Sequence, residues 1–296
     1  MARLQESLRA VIRGKDDVIE LSMVALLARG HLLIEDVPGV GKTTLGHALA
    51  RSLNCSFHRV QFTSDLLPSD VIGISVFDQH RQQFEFKAGP IFTNILLADE
   101  INRTTPKTQS ALLEAMNEEQ VTLDNVTHPL PQPFMVIATQ NPVEHHGTYP
   151  LPESQLDRFL MRIRMGYPSE DSEREIVRLH SAGGRLDGLE PVLEGADVLA
   201  IQQEVTTVVV DEDLVGYSVG IAGRTRRNDY LSLGVSPRGT MALYRAAQAR
   251  AFLHGRRFAT PDDFKSLAIP VFAHRVVLST RYTSTLRKSE DRKSVV

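Results

Sequence analysis

The chain is 296 residues long and 42% apolar, and its 33 Lys+Arg nearly cancel its 36 Asp+Glu. That length allows one large domain or two smaller ones, and the apolar share can bury a core. The charge balance excludes a whole-molecule field aimed at nucleic acid or membrane. The single cysteine, Cys55 in "LNCSF", excludes an internal disulfide, fits a reducing compartment and reads as a small buried hydrophobe. "ARLQESLRAVIRGKDD" is charged throughout, so no signal-type apolar segment follows Met1, and no apolar run reaches the length of a membrane span. The expectation is a cytoplasmic protein.

Leu4, Leu8, Val11 and Ile12 recur at helical spacing until Gly14 breaks the pattern. Asp16 or Asp17 can cap a second helix, which runs to Arg29 and ends at Gly30. "HLLIED" (31–36) is a strand-type apolar run, and a helix follows over Thr44–Leu53. "FHRVQF" (57–62), "NILLADE" (94–100) and "PFMVIATQN" (133–141) read as further buried strands. Between the last two, Thr105-Pro106 opens a helix with Ala111, Leu112, Ala115 and Met116 on one face. This βα alternation predicts a parallel sheet covered by helices. Residues 73–89 and 120–131 interrupt it with alternating runs around polar turns, which predicts two hairpins projecting from the core. After Tyr167-Pro168 helical patterns dominate, at 170–181, 195–205, 211–222, 237–254 and 261–273. The expected organisation is a nucleotide-binding core over 1–168, a helical domain over 169–280 and a polar, loosely ordered tail over 281–296.

The chemistry concentrates in "EDVPGVGKTT" (35–44). It nearly matches the phosphate-binding pattern GxxxxGK[ST], with Asp36 where the first glycine belongs. Gly39 and Gly41 can adopt backbone angles closed to other residues, and the loop amides with the following helix N-terminus make an anion site. Lys42 can reach the β- and γ-phosphates, and the Thr43 hydroxyl can ligate Mg²⁺. Asp36 is the position farthest from Lys42 and can point away or cap a turn. "ILLADEINR" ends a buried strand in Asp99-Glu100, at the sheet edge where ligands bind. Asp99 can hold Mg²⁺ through its waters, and Glu100 can orient and deprotonate a water. Asn141 ends another apolar strand; if that strand lies between the other two, its amide faces the γ-phosphate.

Together "EDVPGVGKTT", "ILLADEINRTTPKTQSALLEAMNEEQVT", "ATQNPVEHHGTYPLPESQLDRFLMRI" and "SPRGTMALYRAAQARA" resemble the MoxR branch of the AAA+ ATPases, in order from about residue 3 to 278. The resemblance implies an AAA+ αβα sandwich with a five-stranded parallel core sheet and inserted hairpins, followed by a smaller all-α lid. It makes the acid at Asp36 ordinary for the loop and implies that Pro38, Gly39, Val40, Gly41, Lys42, Thr43 and Thr44 enclose ATP or ADP. It implies that Arg158 in "LDRF" is an arginine finger acting on a neighbouring subunit's nucleotide, and that Arg238 in "SPRG" is a second sensor, in cis or in trans. Val11, Ile12 and Gly14 fall where such proteins pack the adenine. The tail after Leu278 departs from the further helix such a lid would have.

Arg103, Lys107, Arg162 and Arg164 read as solvated or paired charges. His145-His146 lacks further ligands at metal spacing and argues against zinc. "GRTRR" (223–227) and "HGRR" (254–257) are too short to indicate nucleic acid against this background. A finger supplied by a neighbour implies a homo-oligomer, in this family usually a hexameric ring. With no substrate-modifying site in view, the output is mechanical and delivered to another protein. The resemblance implies a chaperone-like factor whose Mg²⁺-dependent ATP hydrolysis remodels, matures or activates a partner complex, often with a von Willebrand factor A domain protein as partner. Two alternatives stand beside it. One is a nucleotide-gated scaffold with incidental hydrolysis. The other is a DNA-acting motor, disfavoured because "QVTLDNVTHPLP" carries no Lys or Arg.

Overall fold

A computed structural model describes residues 1–142, 147–181 and 188–279. Two helices, α1 (Ala2–Val11) and α2 (Asp16–Leu27), precede β1 (Leu32–Glu35); α3 (Lys42–Ser52) and β2 (Phe57–Gln61) follow. Next come α4 (Pro68–Ile72), the hairpin β3 (Gly73–Asp78) and β4 (Gln83–Ala88), β5 (Ile95–Asp99), a 3-10 turn over Ile101–Arg103 and α5 (Pro106–Glu118). A second hairpin, β6 (Gln120–Leu123) and β7 (Val126–Pro129), leads to β8 (Met135–Gln140), α6 (Glu153–Leu156) and β9 (Met161–Ile163). The remainder is α7 (Glu170–Ser181), α8 (Gly195–Val205), α9 (Glu212–Arg226), β10 (Leu231–Leu233), α10 (Pro237–Leu253), α11 (Pro261–Phe272) and β11 (Val277–Leu278).

The core sheet has five strands in the order β2-β5-β8-β1-β9, all parallel. Alternation sends Leu32, Ile34, Leu97 and Ile137 to one apolar cluster and Leu33, Leu96, Val136 and Ala138 to the other. The register sets Glu35 beside Gln140 and Gln61 beside Asp99, so the strands deliver their C-terminal residues to one edge. The strand that ends at Asn141 lies between the loop strand and the acid-bearing strand, which is the placement its assignment required.

Both inserted hairpins form, as the alternating runs predict. Asp124 and Asn125 turn the second with φ of 50° and 63°, left-handed values that Asp and Asn tolerate. The Phe86 ring of β4 stacks on His128 of β7 at 3.9 Å, so the hairpins brace each other. Some elements escape the sequence pattern. The helix after the glycine loop starts at Lys42 rather than Thr44, and α4, α6, β10 and β11 are too short to show a period. The antiparallel pairing of β10 with β11 adds a small sheet to the otherwise helical C-terminal region. That region shares its core with the sheet: Ala242, Leu243, Phe264 and Phe272 join Leu4, Ile19 and Leu45 in one cluster. Here α10 packs on α2 and α11 on β9. His145-His146 and the 281–296 tail lie outside the described residues.

Candidate functional site

The glycine loop has the backbone its sequence requires. Gly39 and Gly41 sit at φ of 83° and 97°, where a Cβ is strained, and α3 begins at the next residue. Loop amides and helix N-terminus thus converge on one concavity, which suits a polyphosphate. Lys42 Nζ donates to the Asp36 carbonyl at 2.9 Å, which holds the cation over the loop. The Asp36 carboxylate is buried and turned away. Its Oδ1 accepts from the Val37 amide at 2.9 Å, and its Oδ2 accepts from the Gly166 amide, beyond β9, at 2.6 Å. The acid at the missing-glycine position is therefore a strut between the loop and the strand at the sheet's edge.

Asp99 and Glu100 stand at the end of β5. Thr139 of β8 joins them: its hydroxyl donates to Asp99 Oδ1 at 2.6 Å and accepts the Glu100 amide at 2.9 Å. Glu100 occupies the left-handed region at φ 57°, an uncommon state for a non-glycine residue that this bond helps hold. Asp99 Oδ2 receives the Arg59 guanidinium through Nη2 at 2.6 Å and Nε at 3.1 Å. Glu100 Oε2 pairs with Arg103 Nε at 2.8 Å. Pro38, Gly39, Gly41, Lys42, Thr43, Thr44, Arg59, Asp99, Glu100 and Asn141 line one cleft of about 350 Å³. Thr43 and Asp99 bring hard oxygen donors to it, a set that fits Mg²⁺. A wider groove of about 560 Å³ between α9 and α11 is lined by no carboxylate, so size alone does not locate the site.

Arg158 and Arg238 are elsewhere. They line a second cleft of about 170 Å³ with Arg29, Arg245, Arg275 and Asp157, and the two clefts share no lining residue. Arg158 Nη1 donates to the Leu113 carbonyl at 2.6 Å, and Arg238 Nη2 to Asn117 Oδ1 at 3.2 Å, both on α5. Burial, then the charge of Arg238, lowers the Arg245 pKa, a sign of crowded cations. His31 also lines this cleft. Its Nδ1 accepts the Val136 amide at 3.0 Å while Nε2 faces the Met116 carbonyl at 3.0 Å, which fixes the neutral Nε2–H form. Burial pushes its pKa down to about 4; the Met116 bond opposes this, and Arg245 adds to it.

Val11, Ile12 and Gly14 are not brought into the phosphate cleft. Val11 ends α1, and Ile12 and Gly14 lie in the turn to α2, where Gly14 (φ 65°) abuts Ser172 of α7 and Lys15 Nζ donates to the Tyr167 carbonyl at 2.7 Å. Val40 packs against the large apolar cluster. Arg162 and Arg164 pair with Glu35 at 3.0 and 3.9 Å, and Lys107 is exposed. Sequence reasoning missed Arg59 and Thr139. The signal for Thr139 is a hydroxyl two residues before Asn141 in a run that is otherwise buried and apolar; nothing local marks Arg59. Among the described residues no group of three or more His, Cys, Asp and Glu could hold a metal, and no helix is long and apolar enough to cross a membrane.

A five-stranded parallel sheet, a glycine loop opening a helix, paired acids at the end of the strand two places from the loop strand and a helical lid define an ATP-hydrolysing enzyme of the AAA+ class. Comparison with known proteins agrees. Residues 31–161 match the profile described as "ATPase family associated with various cellular activities (AAA)", and residues 223–294 match that of the AAA lid domain. The chain is 52% identical to the uncharacterized protein YeaC of Bacillus subtilis, over 94% of this chain and 87% of that one. It is 41% identical to the chaperone MoxR1 of Mycobacterium tuberculosis, over 92% of this chain and 74% of that one. A crystal structure of a protein from Cytophaga hutchinsonii described as an ATPase superposes with a TM-score of 0.91 at 38% identity, covering 99% of this chain and 92% of that one. The chain belongs to the MoxR family of AAA+ ATPases.

Proposed function

We propose that this chain hydrolyses ATP in a Mg²⁺-dependent reaction at a site shared between two protomers of a homo-oligomeric ring, and uses the cycle to remodel a protein partner. The observation that carries the reading is the separation of the two clefts. One holds the cradle and the acids, and the other holds Arg158 and Arg238. Cations that line no wall of their own protomer's cradle are available to a neighbour's, which favours action in trans for both arginines.

In the cradle, the amides at Gly39–Thr44 and Lys42 bind the β- and γ-phosphates. Thr43 and Asp99 hold the metal, which, when bound, neutralises charge on the phosphate oxygens. Glu100 accepts the proton of the attacking water, and Asn141 orients it. Arg103 must yield the Glu100 carboxylate at that moment, and Arg59 must share Asp99. Hydride or acyl chemistry has no counterpart here: the polar groups of the cleft suit charge stabilisation on a transferring phosphoryl group. A guanidinium reaching that group from the neighbour is worth about 10³–10⁵ in turnover, or roughly 4–7 kcal/mol of barrier. The turn at Val11, Ile12 and Gly14, set against α7, is the proposed adenine wall, from which nucleotide state reaches the lid.

The relative MoxR1 is a chaperone, which supports remodelling or maturation of a partner complex as the output. A hexameric ring in the cytoplasm, with a von Willebrand factor A domain protein as adaptor, completes the proposal. The test is steady-state ATPase activity against protein concentration, with variants. Specific activity should fall on dilution as protomers separate. Glu100→Gln should bind ATP with little turnover, and Arg158→Ala should keep binding and lose turnover. Full specific activity at concentrations where the chain is monomeric overturns the shared site.

A further inference from the structure

Arg158 and Arg238 come from different parts of the chain, one following α6 and the other in the first turn of α10, yet they line one cleft. One carboxylate joins the two segments. Asp157, next to Arg158, accepts at Oδ2 from the Ser236 hydroxyl at 2.9 Å. Ser236 is the N-cap of α10 and itself accepts the Gly239 amide at 3.1 Å. Asp157 Oδ1 accepts from Arg275 Nε, just beyond α11, at 2.7 Å. The Arg275 guanidinium is buried and also donates to the backbone carbonyls of Asp157 at 3.2 Å, Phe159 at 2.6 Å and Leu160 at 3.0 Å. It thus grips the whole stretch that carries Arg158.

The fourth residue of "SPRG" belongs to the same device. A Cβ at Gly239 would meet Arg275 Cδ at 2.8 Å and Val235 Cγ1 at 2.6 Å, so the Arg275 stem crosses the first turn of α10 where only glycine leaves room. Ser236 ties the turn to Asp157, Pro237 starts the helix, Arg238 projects from it, and Gly239 admits the arginine that closes the clamp.

We propose that Asp157, Ser236 and Arg275 are positioning residues that hold Arg158 and Arg238 at one fixed spacing, so that both guanidiniums meet a single terminal phosphate of the neighbouring protomer. The proposal rests on the shared-site reading and goes beyond it: core and lid are coupled through the pair of cations that a protomer lends to its neighbour. A misplacement of about 1 Å at such a site costs about 10²-fold in rate.

Replacing Asp157 strands a buried guanidinium and unfolds the junction, so the test uses Ser236. Asp is as good an N-cap as Ser, so Ser236→Asp keeps the helix start but faces Asp157 with a like charge and no proton to donate. Ser236→Thr keeps the hydroxyl. Assayed well below the melting temperature, Ser236→Asp should lower kcat about tenfold to hundredfold with KM little changed, and Ser236→Thr should retain the wild-type rate. In the Arg158→Ala, Arg238→Ala background, where nothing remains to be positioned, Ser236→Asp should change the residual single-turnover rate less than about twofold. Wild-type kcat in Ser236→Asp, or an undiminished effect in the doubly substituted background, overturns the positioning role while slow Arg158→Ala and Arg238→Ala enzymes leave the shared site standing. If those two variants turn over at the wild-type rate, the shared site fails and the clamp with it.

Discussion

Replacing Asp36 separates two readings of the loop that differ in sign. If its carboxylate faced the phosphates, removing the charge would tighten nucleotide binding. The structure gives that carboxylate two amides instead, Val37 at 2.9 Å and Gly166 at 2.6 Å, and ties Lys42 to the Asp36 backbone carbonyl, which a substitution leaves in place. The Val37 bond is local; the Gly166 bond joins the loop to the far side of β9. Hydrogen bonds to a charged group contribute about 1.5–3 kcal/mol each, and a stranded buried amide costs a similar amount. Asp36→Ala should therefore destabilise the fold by about 2–4 kcal/mol, a fall of roughly 3–6 °C in melting temperature for a chain of this size. Asp36→Asn keeps one acceptor oxygen and should lose about half as much. Thermal melts with a fluorescent ADP titration measure both quantities, and affinity should weaken or stay level in both variants. A melting temperature within about 1 °C of wild type, or tighter ADP binding in Asp36→Asn, refutes the strut. Asp36→Gly, which restores the common phosphate-loop residue, should behave like the alanine variant.

Three further outcomes follow from the same contacts. Thr139→Val strands the Glu100 amide and frees Asp99 Oδ1, so kcat should fall at least about tenfold while ADP still binds; unchanged kcat would show that the joint is idle. His31 is held neutral, with its pKa lowered to about 4 from 6.5, so its contribution to folding is complete above pH 6.5 and is lost as pH falls toward 4. Urea melts of wild type should lose roughly 3 kcal/mol across that window, and His31→Gln should flatten this part of the slope; equal slopes would contradict the assignment. Gly41→Ala forces a side chain into φ of 97° and should weaken nucleotide binding about tenfold or more, measured by the same ADP titration, where wild-type affinity would contradict the cradle.

The glycine loop and the Asp99-Glu100 pair were legible because both are continuous in sequence and both sit at the end of an apolar run. The hairpins showed themselves by alternation, and the lid helices by period. What stayed hidden depends on contacts between distant segments. Thr139 reaches Asp99 across 40 residues, Arg59 reaches it across 40 in the other direction, and Asp157 meets Ser236 and Arg275 across 79 and 118. No local pattern encodes such a meeting; strand order and helix packing create it. Asn141 shows the intermediate case. Its residue type suggested a role, but only the placement of β8 between β1 and β5 gives that role a geometry. Asp36 was ambiguous for the same reason, since the amide it satisfies lies 130 residues away.

The shared site is tested most directly by mixing two inactive variants. Glu100→Gln lacks the base but offers both arginines to its neighbour; Arg158→Ala has an intact cradle and lacks the finger. Mixed at equal concentration with ATP, they should regain a substantial fraction of wild-type turnover, because an Arg158→Ala cradle then meets an intact finger. Turnover no greater than the sum of the two separate variants, in mixtures shown to co-assemble, would contradict a site built from two protomers.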